Sequence, residues 1–284
     1  LIAIGLTPAF KMKFWNIGAE GQILVGGAAT AALMIYAGDS MPTPVLMILM
    51  FVASLAAGMI WGIIPAIFKA YFNTNETLFT LMLNYVAMQI VTFCIVYWEN
   101  PAGSNTVGII NSATRAGWLP ALGGLTYGWN VLIVLAFTFG MYIYMKYSKQ
   151  GYEVAVVGES QDTARYARIN VKRTIIRTMG ISGGICGIAG FLLVSGASHT
   201  ISTSTAGGRG FTAIIVAWLS KFNAFVMILV SFFLVFMEKG AIQIASQFNL
   251  NENASDVITG IILFFILGSE FFIRYRIAFT KAHK

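Results

Sequence analysis

Seven stretches of this chain stay apolar for about the length of a bilayer crossing, and that recurrence restricts its fold more than any motif does. A helix crossing the hydrocarbon core needs about 20 mostly apolar residues. Residues 21–37, 44–68, 77–97, 130–146, 174–196, 222–237 and 255–273 approach or exceed that length. The chain is 57% hydrophobic and only 10% charged, against about 45–50% and about 25% for a soluble domain. A water-soluble globule has too little polar surface to cover such a sequence. The expected fold is an all-α integral membrane protein, a polytopic bundle of about seven full spans plus a half-helix. The half-helix is Phe211–Leu219, too short to cross at about 1.5 Å per residue. It is predicted to turn at Lys221-Phe222-Asn223 into the next span, while Leu1–Phe10 reads as the end of an earlier helix.

The net charge of +7 falls in short gaps between spans, so it speaks to orientation in a lipid bilayer and not to nucleic acid. With the loop at 147–173 in the cytoplasm, every one of the 18 lysines and arginines except Arg115, Arg209 and Lys239 lies inside. The opposite orientation would violate the positive-inside bias, so the C-terminus is expected in the cytoplasm. The longest outer loop, 98–129, carries Trp98, Trp118 and Trp129 in places that suit an interfacial belt. It either receives an external partner or simply connects two spans. Cys94 and Cys186 sit inside apolar stretches without metal-ligand spacing and read as packing residues. The chain opens at Leu1 without a signal-peptide pattern, and is expected to be a single transmembrane domain over 1–284 whose upstream part is absent.

The span interiors exclude several functions. Glu20, Glu76, Glu238, Asp256 and Glu270 fall at or near span ends, and no Asp, Glu, Lys, Arg or His lies near a centre. Proton-coupled transport normally needs one there, although sodium coupling through carbonyl oxygens stays open. The two histidines, His199 and His283, make no metal pair, no nucleophile has an evident base, and no Gly-Lys dipeptide offers a phosphate-binding loop. The chain is therefore expected to hold no catalytic residue, no metal and no cofactor of its own. Gly180, Gly183, Gly184, Gly187 and Gly190 in one span, with Gly58 and Gly62 in another, have the small-xxx-small spacing of tightly packed membrane helices.

The loop at 147–173 is the most informative polar segment. Gly158 is expected to end an extended apolar piece, and Ser160 to cap a short helix with Asp162 in its first turn. Ala164, Ala167 and Ile169 offer a small apolar surface flanked by Arg165, Arg168 and Lys172. Such a helix either lies in the lipid interface or docks into a groove on a partner.

Four blocks carry a family resemblance. Phe14-Trp15-Asn16-Ile17-Gly18-Ala19-Glu20-Gly21-Gln22 resembles a signature of the permeases of nucleoside-type ABC importers, within the branched-chain amino acid and simple-sugar permease superfamily. Asn75 through Tyr85 is similar to that family's "N-E-x-x-x-T-x-M-L-N-Y" stretch, and Gly208 through Ile214 to its "G-x-G-F-x-x-I" opening of a late helix. Gly158 through Ile169 resembles the coupling helix that contacts the ATPase. Ser160 stands for the family's usual Asn, Thr163 for its first Ala and Arg168 for its Gly, which alters the docking surface.

The resemblance implies an importer of nucleosides in a bacterial cell membrane. Its parts would be a cytoplasmic ABC ATPase that uses the ATP, a second permease subunit identical or homologous to this one, and an extracytoplasmic solute-binding lipoprotein. It also implies one or two helices upstream of Leu1, and inverted repeats. The starts at Asn16–Gln22 and Gly207–Phe211 fall on opposite sides in this topology, which fits inverted halves meeting at a central site. The implied coupling residues are Gly158, Ser160, Asp162, Ala164, Arg165, Tyr166 and Ile169. Candidates for the substrate pathway are Asn16, Glu20, Gln22, Asn84, Arg209 and Phe211. Each has a plainer reading: Asn16, Glu20 and Gln22 as a structural cap and loop, Asn84 as an interhelical hydrogen-bonding group, Arg209 as an interface anchor. Trp15 and Trp218 can stack on a nucleobase or simply pack. The rival functions are a ribose-like sugar permease of the same class and, beyond that class, an ion-coupled secondary transporter or a non-transporting scaffold.

Overall fold

A computed structural model describes residues 1–248 and, beyond them, Val257, Gly260, Ile261, Phe264, Phe265 and Gly268. The chain divides into two compact units, Leu1–Ala224 and Phe225–Lys284. The first holds α1 (Ile2–Lys11), α2 (Ala19–Ala37), α3 (Thr43–Phe72), α4 (Glu76–Trp98), α5 (Gly128–Tyr147), α6 (Lys149–Glu159), α7 (Gln161–Tyr166), α8 (Val171–Leu193) and α9 (Arg209–Leu219). The apolar helix α10 (Ala224–Gln247) follows. The described residues contain no strand, only an isolated bridge between Leu122 and Leu125.

Among the described residues, five helical segments are long and apolar enough to cross a membrane: Thr43–Phe72, Glu76–Trp98, Gly128–Tyr147, Val171–Ser198 and Ala224–Gln247. They match five of the seven expected spans. The expected span at 255–273 lies outside the continuously described residues. The span at 21–37 is α2, long enough but not among the five, because its first turn carries Glu20 and Gln22. Phe211–Leu219 forms the short helix α9, which ends in a turn where Lys221 and Phe222 both take left-handed backbone angles.

Burial sorts these helices into a centre and a periphery. The apolar window of α8 is 89% buried, against 11% for α5. The middle of α8 is where three helices meet. A Cβ on Gly187 would collide with the Ser54 carbonyl of α3 and lie 3.0 Å from the Gly58 Cα, and Gly26 of α2 comes equally close to Gly187. Without side chains there, backbones approach closely enough for dispersion to hold helices that lipid does not drive together.

The segment before α7 differs from expectation. Residues 149–159 form the helix α6, where an extended piece ending at Gly158 was predicted. Ser148 caps α6, its Oγ accepting the Gly151 N–H at 2.9 Å, and Val154 and Val157, three residues apart, share its buried face.

Candidate functional site

Between α1 and α2 the chain has no helical ladder, and its backbone groups find partners elsewhere. Segment 12–18 starts beside α6, where Gly158 abuts the Lys11 carbonyl. It rises to Asn16, whose Nδ2 lies 3.4 Å from the Ser182 Oγ, about halfway along α8. Helix α4 supplies what the ladder lacks. The Thr80 Oγ1 accepts the Ile17 N–H at 3.2 Å. The Asn84 Nδ2 donates to the Ile17 carbonyl at 3.0 Å, and its Oδ1 accepts the Gly21 N–H at 2.8 Å. Irregular backbone inside a membrane protein survives only where protein groups satisfy it in this way.

Three further polar side chains close the junction. Asn16 and Gln22, both buried, face each other with two long contacts of 3.4 Å, and the Asn16 Oδ1 also accepts the Gly18 N–H at 3.0 Å. Glu20, 6% exposed, reaches across to the start of α9. One carboxylate oxygen accepts the Gly208 N–H at 2.7 Å and the other the Gly210 N–H at 2.8 Å. These donors lie where a helix leaves its first N–H groups without internal partners and where its dipole favours negative charge. Gly210 has to lack a side chain, because a Cβ would come within 2.6 Å of the Glu20 backbone nitrogen.

The two starts predicted on opposite sides are therefore in contact. They approach from opposite ends of α8: residues 12–18 from the Lys11 end, and residues 199–208 from the end where α8 closes in a π-turn at Val194–Ser198. Both climb without helix, and a hydropathy pattern reads such segments as surface loops.

The remaining pathway candidates are placed differently. Arg209 and Phe211 are exposed, with Phe211 at 43%. Their side chains take no part in the Glu20 clamp, and an Arg209 guanidinium nitrogen donates to the Thr205 carbonyl at 3.2 Å. Trp15 and Trp218 stack on one another, with ring centroids 5.5 Å apart and planes 8° off parallel. Thr80 and Ser182 were missed from sequence. Thr80 stands four residues before Asn84, on the same helix face, and that spacing was the available signal.

The expected coupling helix is α7. Ser160 caps it, the Oγ accepting the Thr163 N–H at 3.2 Å. Ala164, expected on an exposed apolar surface, is fully buried in a cluster with Ala9, Met12, Phe14, Val157 and Ile175, and Ile169 packs against that cluster. The exposed groups include Tyr166, 91% exposed, the Asp162–Arg165 pair at 3.2 Å, Arg168, and Ala167, which does lie on the surface as expected. Helix α7 ends in a Schellman arrangement, with Ile169 N–H to Ala164 C=O at 2.9 Å and Arg168 N–H to Arg165 C=O at 3.0 Å. Arg168 therefore has a φ of +58°. That angle accounts for the Gly that the resembling family has at this position. Glu153 of α6 and Arg177 of α8 pair at 2.9 Å beside this unit.

At the opposite end of α8 the loop at 98–129 folds back onto the bundle. Trp118 stacks on His199 at 3.7 Å, its Nε1 donates to the Ile110 carbonyl at 2.9 Å, and Asn111 Nδ2 donates to the Met34 carbonyl at 2.7 Å. Trp118 thus anchors the loop, and Trp98 donates to the Tyr36 hydroxyl at 2.9 Å.

Comparison with known proteins places this architecture. The chain is 29% identical to the glucose ABC transporter permease protein TsgB13 of Haloferax volcanii, over 98% of this chain and 76% of that one. It is also 29% identical to the guanosine ABC transporter permease protein NupP of Bacillus subtilis, over 95% and 78%. With the nucleoside ABC transporter permease protein NupB of Lactococcus lactis it shares 26% identity, over 100% and 80%. No solved structure matches it. Residues 1–267 match the family described as "Branched-chain amino acid transport system / permease component", and the chain belongs to that family of ABC permeases.

Proposed function

We propose that this chain is the membrane-spanning subunit of an importer that carries nucleosides into a bacterial cell, driven by ATP hydrolysis on a separate cytoplasmic subunit. A second permease subunit completes the pathway, and an extracytoplasmic solute-binding lipoprotein delivers the substrate. Two of the similar proteins, from Bacillus subtilis and Lactococcus lactis, are named for guanosine and nucleosides. A glucose permease of Haloferax volcanii is equally similar, which keeps a sugar substrate as the second reading.

The observation that carries the mechanism is a continuous packed path from α7 to α9. Ala164 of α7 packs in one cluster with Phe14, two residues before Asn16. Asn16 contacts Gln22 and Ser182, and Glu20 on the same helix start holds Gly208 and Gly210 of α9. A displacement of α7 by the ATPase would reach the middle of the bundle through these contacts. In this reading the α2 and α9 starts are the meeting point of inverted halves. Arg209 and Phe211 face the pathway, while Asn16, Glu20, Gln22 and Asn84 set its geometry. Each nucleotide state of the ATPase then has to favour a different arrangement of this path for ATP to drive transport.

The test is uptake into proteoliposomes holding the full permease pair and ATPase, with the binding protein outside, comparing labelled guanosine, uridine, ribose and glucose with and without ATP. ATP-dependent nucleoside uptake is expected. Sugar uptake alone overturns the substrate, and uptake driven by an ion gradient without the ATPase overturns the mechanism. Replacing Tyr166 by Ala, on an exposed position of α7, is expected to weaken ATPase association while leaving thermal stability unchanged.

A further inference from the structure

Three lysines from separate parts of the chain line one cavity of about 370 Å³: Lys11 at the end of α1, Lys146 at the end of α5 and Lys221 in the turn after α9. All three are exposed, and among the described residues none has a carboxylate within ion-pair distance. Cations gathered this way repel one another, and an anion in the cavity removes that cost. Met141 of α5 lines this cavity and also the next, an apolar groove of about 380 Å³ between α5 and α8 walled by Ala136, Phe137, Gly140, Ile181 and Ile185. The groove therefore leads directly away from the lysines. Its α5 wall runs from Tyr144 to Ala136, about 12 Å along the helix, which is most of the depth of one leaflet of hydrocarbon.

We propose that an anionic phospholipid binds here, its headgroup phosphate among Lys11, Lys146 and Lys221 and one acyl chain in the α5–α8 groove. The two adjoining volumes have the polarity sequence of an amphiphile, charged at one end and apolar for most of one leaflet's depth. Basic pockets between membrane helices recognise anionic headgroups by this chemistry. The Gly140 face is open, with no atom within 4 Å of where a Cβ would stand, so the chain has room to lie against the α5 backbone. A soluble phosphate shares the headgroup chemistry but has no use for the groove.

The experiment uses the complete permease complex in detergent, titrated with phosphatidylglycerol, phosphatidylcholine or inorganic phosphate and read by native mass spectrometry and thermal shift. Retention of phosphatidylglycerol over phosphatidylcholine is expected. Each basic group beside an anionic headgroup is worth roughly a fivefold gain in affinity, so the triple variant K11Q/K146Q/K221Q is expected to lose about a hundredfold. Gly140→Leu fills the groove and is expected to weaken lipid retention with all three lysines in place. Equal retention of the two lipids, unchanged binding in the triple variant, or stabilisation by inorganic phosphate as large as that by the lipid each overturns the proposal. Because the lysines are exposed, folding of the triple variant is checked by an unchanged melting profile in lipid-free detergent.

Discussion

The Glu20 carboxylate and the Gly210 backbone N–H, 190 residues apart in sequence, meet at 2.8 Å in the middle of the bundle. The same carboxylate takes the Gly208 N–H through its other oxygen, so one side chain joins the starts of two helices. Replacing Glu20 by Ala removes both bonds and leaves two N–H groups unpaired, at a cost of about 3 kcal/mol. Glu20→Gln keeps one acceptor and is expected to cost less. Thermal scans of the purified complex should rank wild type above Gln above Ala, and an unchanged midpoint in the Ala variant would show that the clamp does not hold the two helix starts together. Gly210→Ala should match Glu20→Ala, because the added methyl occupies the space of the Glu20 backbone.

Asn84 is the second support of this junction, and it acts on backbone through both ends of its amide. Asn84→Ala orphans the Ile17 carbonyl and the Gly21 N–H, an expected loss of about 2–4 kcal/mol. Thr80→Val keeps the shape and removes one acceptor, an expected loss of about 1 kcal/mol. Hydrogen exchange over residues 14–24 should accelerate strongly in the first variant and modestly in the second. Equal exchange in all three proteins would mean that α4 does not hold this segment.

Arg168 occupies a left-handed position with a φ of +58°, where a side chain costs roughly 1 kcal/mol relative to Gly. Arg168→Gly is therefore expected to stabilise α7 by about that amount. Slower hydrogen exchange over 161–169 is the readout, and faster exchange would show that the arginine side chain holds the turn by contacts that outweigh the strain.

The spans were legible because hydropathy over about 20 residues is a long, redundant signal. Helix α9 was also legible, since length alone excludes a crossing. The junction was not. Residues 12–18 and 199–208 enter the bundle without helical periodicity, and nothing local marks Glu20 as facing Gly208 instead of solvent or substrate. The apolar piece ending at Gly158 reads as extended because Val154, Val156 and Val157 favour strands, while the Ser148 cap and the packing of α6 against Lys11 decide for helix. Ala164 looked like an exposed knob because its burial depends on Phe14 and Met12, which are remote in sequence. The family's Gly opposite Arg168 was visible from resemblance, but its reason, the left-handed angle, is a property of the backbone alone.

The stack of Trp118 on His199 is expected to make the 98–129 loop sensitive to pH. Burial lowers the His199 pKa from its ordinary 6.5, with a backbone hydrogen bond opposing that shift in part. The folded loop thus prefers the neutral ring. A depressed pKa means that stability is fully present above about 6.5 and is lost as pH falls through the lowered folded value. The loop is held by more than the stack: the Ile110 N–H donates to the His199 carbonyl at 2.9 Å and the Leu119 N–H to the Ser195 carbonyl at 3.1 Å. Acid should therefore loosen it without releasing it. Hydrogen exchange over residues 109–119 is expected to rise several-fold between about pH 7 and about pH 5, after correction for the intrinsic rate. His199→Asn accepts the φ of +52° and removes the titration, so its exchange should be faster than wild type at neutral pH and flat across that range. A wild-type profile that is equally flat would show that His199 does not titrate within the loop.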